Sequence, residues 1–255
     1  MISKVISNSF KRNRLIGNLS ATWEITPQLS LIGRYALNRS DEMRETKIDP
    51  GYTGEPNQGA YGIVTSESTE TNADVLATYK NHWNDFSFAA SAGGNLLYSH
   101  WANVSNSSKP GSGLIIPYLY TIQNIESSSL NYSNARYERA INSLYATANL
   151  GWKDMVYLDL TARNDWASTL PAENRSYFYP SASLSLLLNN LIDMGKNVNL
   201  FKIRGGIAQV GNDTSPYSLY ATYYNAGQWG DAIRLGKPGN LLNPILLPEE
   251  SKSYE

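Results

Sequence analysis

The chain has 255 residues with no cysteine, a formal net charge of −1 and a pI near 6.2, which excludes disulfide frameworks, thiol chemistry and the basic footprint of a nucleic-acid binder. Charged residues make up 17%, against roughly 25% in soluble domains, and the 18 Tyr and 6 Trp far outnumber the 5 Phe. Aromatic rings with a polar edge suit a boundary between apolar and wet surroundings better than a dry core.

The first ten residues, MISKVISNSF, hold no continuous apolar run and do not read as a secretory signal. The longest apolar stretch, around Leu184 to Leu188, is far shorter than the roughly 18 residues a membrane helix needs. What recurs is period-two alternation, the mark of strands with one apolar face. A strand over 14–26 places Leu15, Gly17, Leu19, Ala21, Trp23 and Ile25 on one face and Asn18, Ser20, Thr22 and Glu24 on the other. Thr26-Pro27-Gln28 turns the chain into a strand over 29–38, with Leu29, Leu31, Gly33, Tyr35 and Leu37 opposite Ser30, Arg34 and Asn38. The same hairpin unit recurs over 71–80 and 86–98, where Ala73, Val75, Ala77 and Tyr79 precede a turn and Phe86 to Tyr98 alternates after it. A third spans 140–152 and 156–166, turning at Lys153-Asp154-Met155. Strands over 178–188 and 200–210 follow, with Pro180 placed where only a strand end or bulge tolerates it.

Connections alternate in length. Tight turns fall at Thr26, Asn81 and Lys153, whereas long Gly/Ser/Asn/Pro-rich segments occupy 39–70, 99–138 and 211–250. Sorting loops by side is how outer-membrane barrels are built, and a soluble sandwich has no reason to do so. The link Asn189 to Asn199 is long for a turn on the short side.

The apolar faces of these strands carry no charge. The opposite faces hold Glu24, Arg34, Asp74, Lys80, Asp159, Arg163, Asp165, Lys202 and Arg204. A Lys or Arg facing lipid near the midplane costs about 2–4 kcal/mol, so such exclusion is what a bilayer imposes. Small residues on the same faces (Ala90, Ala92, Gly94, Ala146, Ala148) fill a sandwich core poorly. Trp23, Phe86 and Trp152 gather near tight turns, and Tyr35, Tyr98, Trp166 and Phe178 near long loops, as two aromatic girdles would. The fold class expected is all-β: an antiparallel, up-and-down transmembrane β-barrel segment of about eight strands.

Motifs for chemistry are scarce. His82 and His100 fall in a turn and a loop with no second ligand at metal spacing, and no helix follows Gly93-Gly94 or Gly205-Gly206 to cradle a phosphate. Asp159, Arg163 and Asp165 share a strand face and can be read as a catalytic pair. Polar side chains neutralised by neighbouring strands in a watery lumen is the stronger reading. Candidate lumen-facing residues are therefore Arg34, Asp74, Asp159, Arg163, Asp165 and Arg204. Loop aromatics Tyr52, Tyr61, Trp101, Tyr118, Tyr120 and Trp229 are candidates for stacking on substrate, and loop pinning explains them equally well. No catalytic, metal or cofactor residue is assigned, and no enzyme activity is expected.

Three segments resemble the barrel of SusC/RagA-type, TonB-dependent outer-membrane transporters. They are Asn13 to Ser20 running through Ile25-Thr26-Pro27 into Leu29-Ser30-Leu31, then Leu160 to Pro171 with Tyr177 to Ser181, then Phe201 to Arg204 with Ala208 to Thr214. The tail from Asn243-Pro244 to Glu255 is similar to the approach to that family's next strand. The resemblance implies that residues 1–255 are part of a roughly 22-stranded barrel in the Gram-negative cell outer membrane, without the family's plug. It implies TonB-dependent nutrient uptake of glycans or peptides, with a SusD-like surface lipoprotein over the long loops, the TonB complex and the lipid bilayer as partners. Alternatives are a soluble glycan-binding β-sandwich or adhesin, a complete eight-stranded barrel, and an outer-membrane barrel enzyme.

Overall fold

The computed structural model describes residues 6–52, 58–188 and 200–255. Among these the chain forms β1 (Ile6–Glu24), β2 (Leu29–Ile48), β3 (Ala60–Trp83), β4 (Phe86–Ser108), β5 (Leu130–Trp152), β6 (Val156–Ala167), β7 (Ser176–Leu187), β8 (Lys202–Asn212), β9 (Tyr224–Trp229), β10 (Ala232–Gly236) and β11 (Glu249–Tyr254). Two short 3-10 turns, Ile122–Asn124 and Ser127–Ser129, interrupt the strands. No helix among them is long and apolar enough to cross a membrane.

β1 to β8 lie side by side in chain order, with β11 completing a nine-stranded antiparallel sheet beside β8, while β9 and β10 pair only with each other. The β5–β6 register runs from Ile141 opposite Ala167 to Trp152 opposite Val156. Lys153 and Asp154 both take positive φ, at 50° and 54°, and the Met155 amide donates to the Trp152 carbonyl at 2.9 Å. This is the mirror-image turn whose twist matches that of the flanking strands. Pro180 sits inside β7, but the β7–β8 ladder starts only at Ser181 opposite Ala208, so its missing N–H costs no pairing on that side.

Several boundaries differ from those expected. β2 to β5 continue through 39–48, 60–70, 99–108 and 130–139, which the pattern had given to long loops. These extensions carry Thr, Ser, Asn and Glu on both faces, so there is no apolar contrast to detect, although Thr favours strands. The 211–250 segment contains the β9–β10 hairpin, and the tail pairs as β11, which makes nine strands in the sheet rather than eight. The Asn189–Asn199 link lies outside the described residues.

The chain divides into two compact units. One comprises Asn18–Tyr35, Asn72–Tyr98 and Arg139–Glu255. Its apolar rows are not covered: Leu19 is 73% exposed, Leu96 60%, Leu144 60% and Ile207 58%. No second sheet or helix among the described residues packs over them. Its small buried cluster of Ile141, Ala167, Leu170 and Tyr177 lies instead on the face that bears the charges.

The other unit comprises Met1–Gly17, Ala36–Thr71 and Ser99–Glu138. It buries apolar residues in the ordinary way, with Tyr61, Leu114 and Ile125 inside and Ile63, Tyr120, Ile122 and Leu130 packed around them. Buried Asn124 organises the 109–129 loop. Its Oδ1 accepts from the Ile116 amide at 2.9 Å, and its Nδ2 donates to the carbonyls of Ile116 and Leu119 at 2.8 and 2.7 Å. Asn124→Ala leaves these groups unsatisfied at a cost of about 1–3 kcal/mol. Hydrogen exchange at the Ile116 amide should accelerate by roughly 5- to 150-fold, with β5–β6 ladder amides unchanged; equal acceleration everywhere would show that the asparagine does not act locally.

Candidate functional site: a charge network on the polar face

Strand alternation puts Arg34 on β2, Asp74 on β3, Tyr145 on β5, Arg163 and Asp165 on β6 and Tyr179 on β7 on one face of the sheet. They form a continuous network. Arg34 donates through Nε to Asp74 Oδ1 at 2.7 Å, and the Tyr145 hydroxyl donates to Asp74 Oδ2. The Arg163 guanidinium lies 5.9 Å from the centre of the Tyr145 ring, donates to Asp165 at 2.7 Å and reaches Ser143 Oγ at 2.9 Å. Tyr179 donates to the second oxygen of Asp165 at 2.5 Å. Asp74 and Asp165 are 9% and 5% exposed, and carboxylates tolerate such burial only when paired and hydrogen-bonded.

β4 lies between Asp74 and Tyr145, so the Tyr145 side chain crosses a whole strand, two interstrand spacings or about 9–10 Å. Gly93 makes the crossing possible. A Cβ there would lie 2.5 Å from the Val75 carbonyl oxygen and 2.9 Å from the Tyr145 ring and hydroxyl. Glycine weakens a strand interior, and here the close approach of the Val75 carbonyl and of the Tyr145 ring explains it.

Four of the six polar residues singled out from sequence therefore belong to one assembly. Asp159 lies apart, accepting from Asn149 at 2.5 Å and from Ser183 at 3.5 Å, and Arg204 pairs with Glu255. Sequence reasoning missed Gly93, Ser143, Tyr145 and Tyr179, together with a second cluster in which Arg139 and Thr169 hold the buried Asp213. The sequence offered only a tyrosine on the charged face and a glycine in the neighbouring strand, with no register to bring them together. Chemically each buried carboxylate of the main network is neutralised by one guanidinium and one phenol. No group of metal-ligating side chains occurs among the described residues. The network locks strand register and presents partly exposed guanidinium edges.

The aromatic candidates fare differently. Tyr61 is not in a loop: it lies on β3, buried, its hydroxyl donating to Glu45 at 2.9 Å. Trp101 lies on β4 and packs against Tyr137 with ring centres 5.3 Å apart, and Trp229 closes β9. Tyr52 and Tyr118 are exposed outside strands, Tyr118 with φ of 66°. Tyr120 donates to Asp49 at 2.5 Å. Both histidines fall in strands rather than in a turn and a loop; His100 on β4 lies within 3.3 Å of Glu67 and 3.6 Å of Glu138.

Burial, followed by the adjoining carboxylates, pushes the Tyr61 and Tyr120 hydroxyls up to about 12. Lys47, first, and Tyr61 hold the Glu45 carboxyl below its usual range.

No protein-family model matches the sequence, and no curated protein matches it. Solved structures do. The chain superposes on chains of the RagAB peptide importer in its "closed-closed" and "open-open" states and on the RagAB peptide transporter, with TM-scores of 0.87, 0.85 and 0.88 at 19%, 18% and 19% identity. Each superposition covers 99% of this chain and 28% of the matched chain. The fold is that of the corresponding part of those transporter chains, and the chain spans little more than a quarter of their length.

Two outcomes follow. Gly93→Ala should destabilise the protein by about 1–3 kcal/mol through overpacking, and combining it with Tyr145→Ala should cost less than the sum of the single changes in a urea-denaturation cycle; strict additivity would separate the glycine from the tyrosine. Because the phenol pKa values are raised on folding, their stabilisation is complete below about 10 and lost as pH rises through about 12. Ultraviolet difference titration of the protein against Tyr61→Phe and Tyr120→Phe should place both midpoints near 12; midpoints near 10 would contradict the hydrogen bonds to Glu45 and Asp49.

Proposed function

Starting from that shared fold, we propose that residues 1–255 are part of the β-barrel of a SusC/RagA-type, TonB-dependent transporter in the Gram-negative outer membrane, importing glycans or peptides together with a SusD-like surface lipoprotein. The observation that carries this reading is the set of uncharged apolar rows left open to the surroundings. Leu29 to Leu37 on β2 and Leu144 to Trp152 on β5 each approach the 9–11 residues with which a tilted strand crosses a bilayer. Tyr35 and Trp152 fall near the ends of these rows, and Phe86 and Tyr98 at the ends of the β4 row, where aromatic girdles anchor barrels. A water-exposed surface of this composition would aggregate.

In this reading the charged face looks into the lumen. Arg34, Asp74, Arg163 and Asp165 line it as a neutralised girdle, with Asp159 and Arg204 elsewhere on the same face. Exposed Tyr52, Tyr118 and Trp229 are the aromatics offered to cargo or to the lipoprotein. The two-component name of the matched importer supports a partner of that kind, and its peptide cargo supports import of peptides at least as well as of glycans.

The test is a pair of substitutions on opposite faces of β5. Leu144→Arg should destabilise the protein refolded into phospholipid vesicles by about 2–4 kcal/mol in a urea titration, whereas Thr147→Arg should stay within about 0.5 kcal/mol of the parent. If the two variants behave alike, or if the parent stays monodisperse in buffer without detergent, the apolar rows do not face lipid.

A further inference from the structure

The polar face of β1 and β2 carries a second cationic group that the network described above does not use. Phe10, Arg12 and Arg14 alternate along β1, and Arg44 lies on the same face of β2. Both guanidiniums of Arg12 and Arg44 sit 5.1 Å from the Phe10 ring centre, which holds them apart through cation–π contact. Glu42, the one carboxylate in contact with the group among the described residues, accepts from Arg12 Nε at 2.6 Å and lies 3.5 Å from Arg44. Arg14 donates to a neutral partner, Asn38 Oδ1, at 3.0 Å. Three guanidiniums therefore share one negative charge. Arg12 and Arg44 remain 47% and 65% exposed, while Glu42 is largely covered.

We infer that this surface binds acidic peptide, and that Arg12, Arg14 and Arg44 select cargo bearing carboxylates on alternate residues. The inference rests on the transporter reading, since it assigns the cargo of that same polar face. Guanidinium is the side chain suited to fork-like recognition of carboxylate. The spacing identifies the carrier. Arg12 and Arg14 are two residues apart on one strand, a repeat of about 6.6–6.8 Å, which is also the repeat of same-side side chains along an extended peptide. The aromatic ring within the group, Phe10, is already engaged by two guanidiniums, which leaves it poorly placed to stack on a sugar ring.

The experiment measures binding of fluorescently labelled peptides to the intact detergent-purified protein at low and at physiological salt. Four Asp-Ala repeats should bind at least about tenfold more tightly than four Asn-Ala repeats, since bonds to a charged partner are worth at least that ratio, and the preference should shrink as salt rises. Substituting Arg12→Gln, Arg14→Gln and Arg44→Gln together should abolish the preference, and Lys at the same positions should restore part of it. Equal binding of the Asp and Asn peptides by the unaltered protein overturns the inference without recourse to any variant. So does tighter binding of oligogalacturonate, which would make the surface a site for acidic glycan. Flotation of the same preparation with phospholipid vesicles reports on the transporter reading separately. Protein that floats but ignores acidic peptide removes this inference alone, whereas protein that binds peptide but does not float removes the transporter reading and the cargo role with it.

Discussion

A strand that turns its side chains alternately up and down meets two surroundings at once, and in this chain one of them admits no charge. Everything else is arranged around that exclusion. Shifting a strand by one residue would carry its whole charged set onto the apolar face. On β6 such a slip would put Asp159, Arg163 and Asp165 beside Leu184 and Leu144, at about 2–4 kcal/mol for the arginine alone if that face meets hydrocarbon. The same slip would strip Asp165 of Arg163 and Tyr179 on the other side. Register is thus enforced from both faces.

The network also accounts for residues that local propensity disfavours. Tyr145 on the charged face and Gly93 in a strand interior look like errors of composition when taken separately. Together they let one hydroxyl bridge β5 to β3 across β4. The buried carboxylates need such reach, because a single guanidinium leaves acceptor positions open and an unsatisfied buried acceptor costs about 1–3 kcal/mol. Each therefore takes a phenol as well as an arginine. Neutralised in this way, neither is available as a general base.

The sequence displayed this arrangement unevenly. Alternation from Leu144 to Trp152 or Val156 to Asp165 contrasts apolar with polar at every step, so type, direction and face were legible there. From Thr65 to Glu70 both faces are polar, the contrast vanishes, and a strand reads as a loop. Asp74 and Asp165 were legible as charged-face residues. Their partners were not, because Tyr145 is 71 positions from Asp74 and the contact depends on a register between strands that pattern alone does not supply. Tyr61 and Trp101 misled for a related reason: aromatics between Gly, Ser and Asn suggest an exposed loop, whereas Tyr61 forms part of a small core completed by Leu114 and Ile125. Arg12 and Arg44 were overlooked because both lie outside the apolar rows that drew attention to the strands.

The two units use apolar residues in opposite ways, and β2 shows where the logic changes. Leu29, Leu31, Gly33, Tyr35 and Leu37 share a face, and the same face then continues as Arg39, Asp41, Met43, Glu45 and Lys47. Charges are absent up to Leu37 and dense after it. On β4 the row from Phe86 to Tyr98 gives way likewise to His100. The face thus passes from apolar to polar within two residues, with Tyr35 or Tyr98 near the crossing, a step that the proposed transporter reading explains as a change of solvent rather than of packing partner. A soluble sheet has no source for such a step, because its outer face meets water from end to end. In the proposed outer-membrane reading a bilayer edge supplies it, while Tyr61, Leu114 and Ile125 form a buried core of their own.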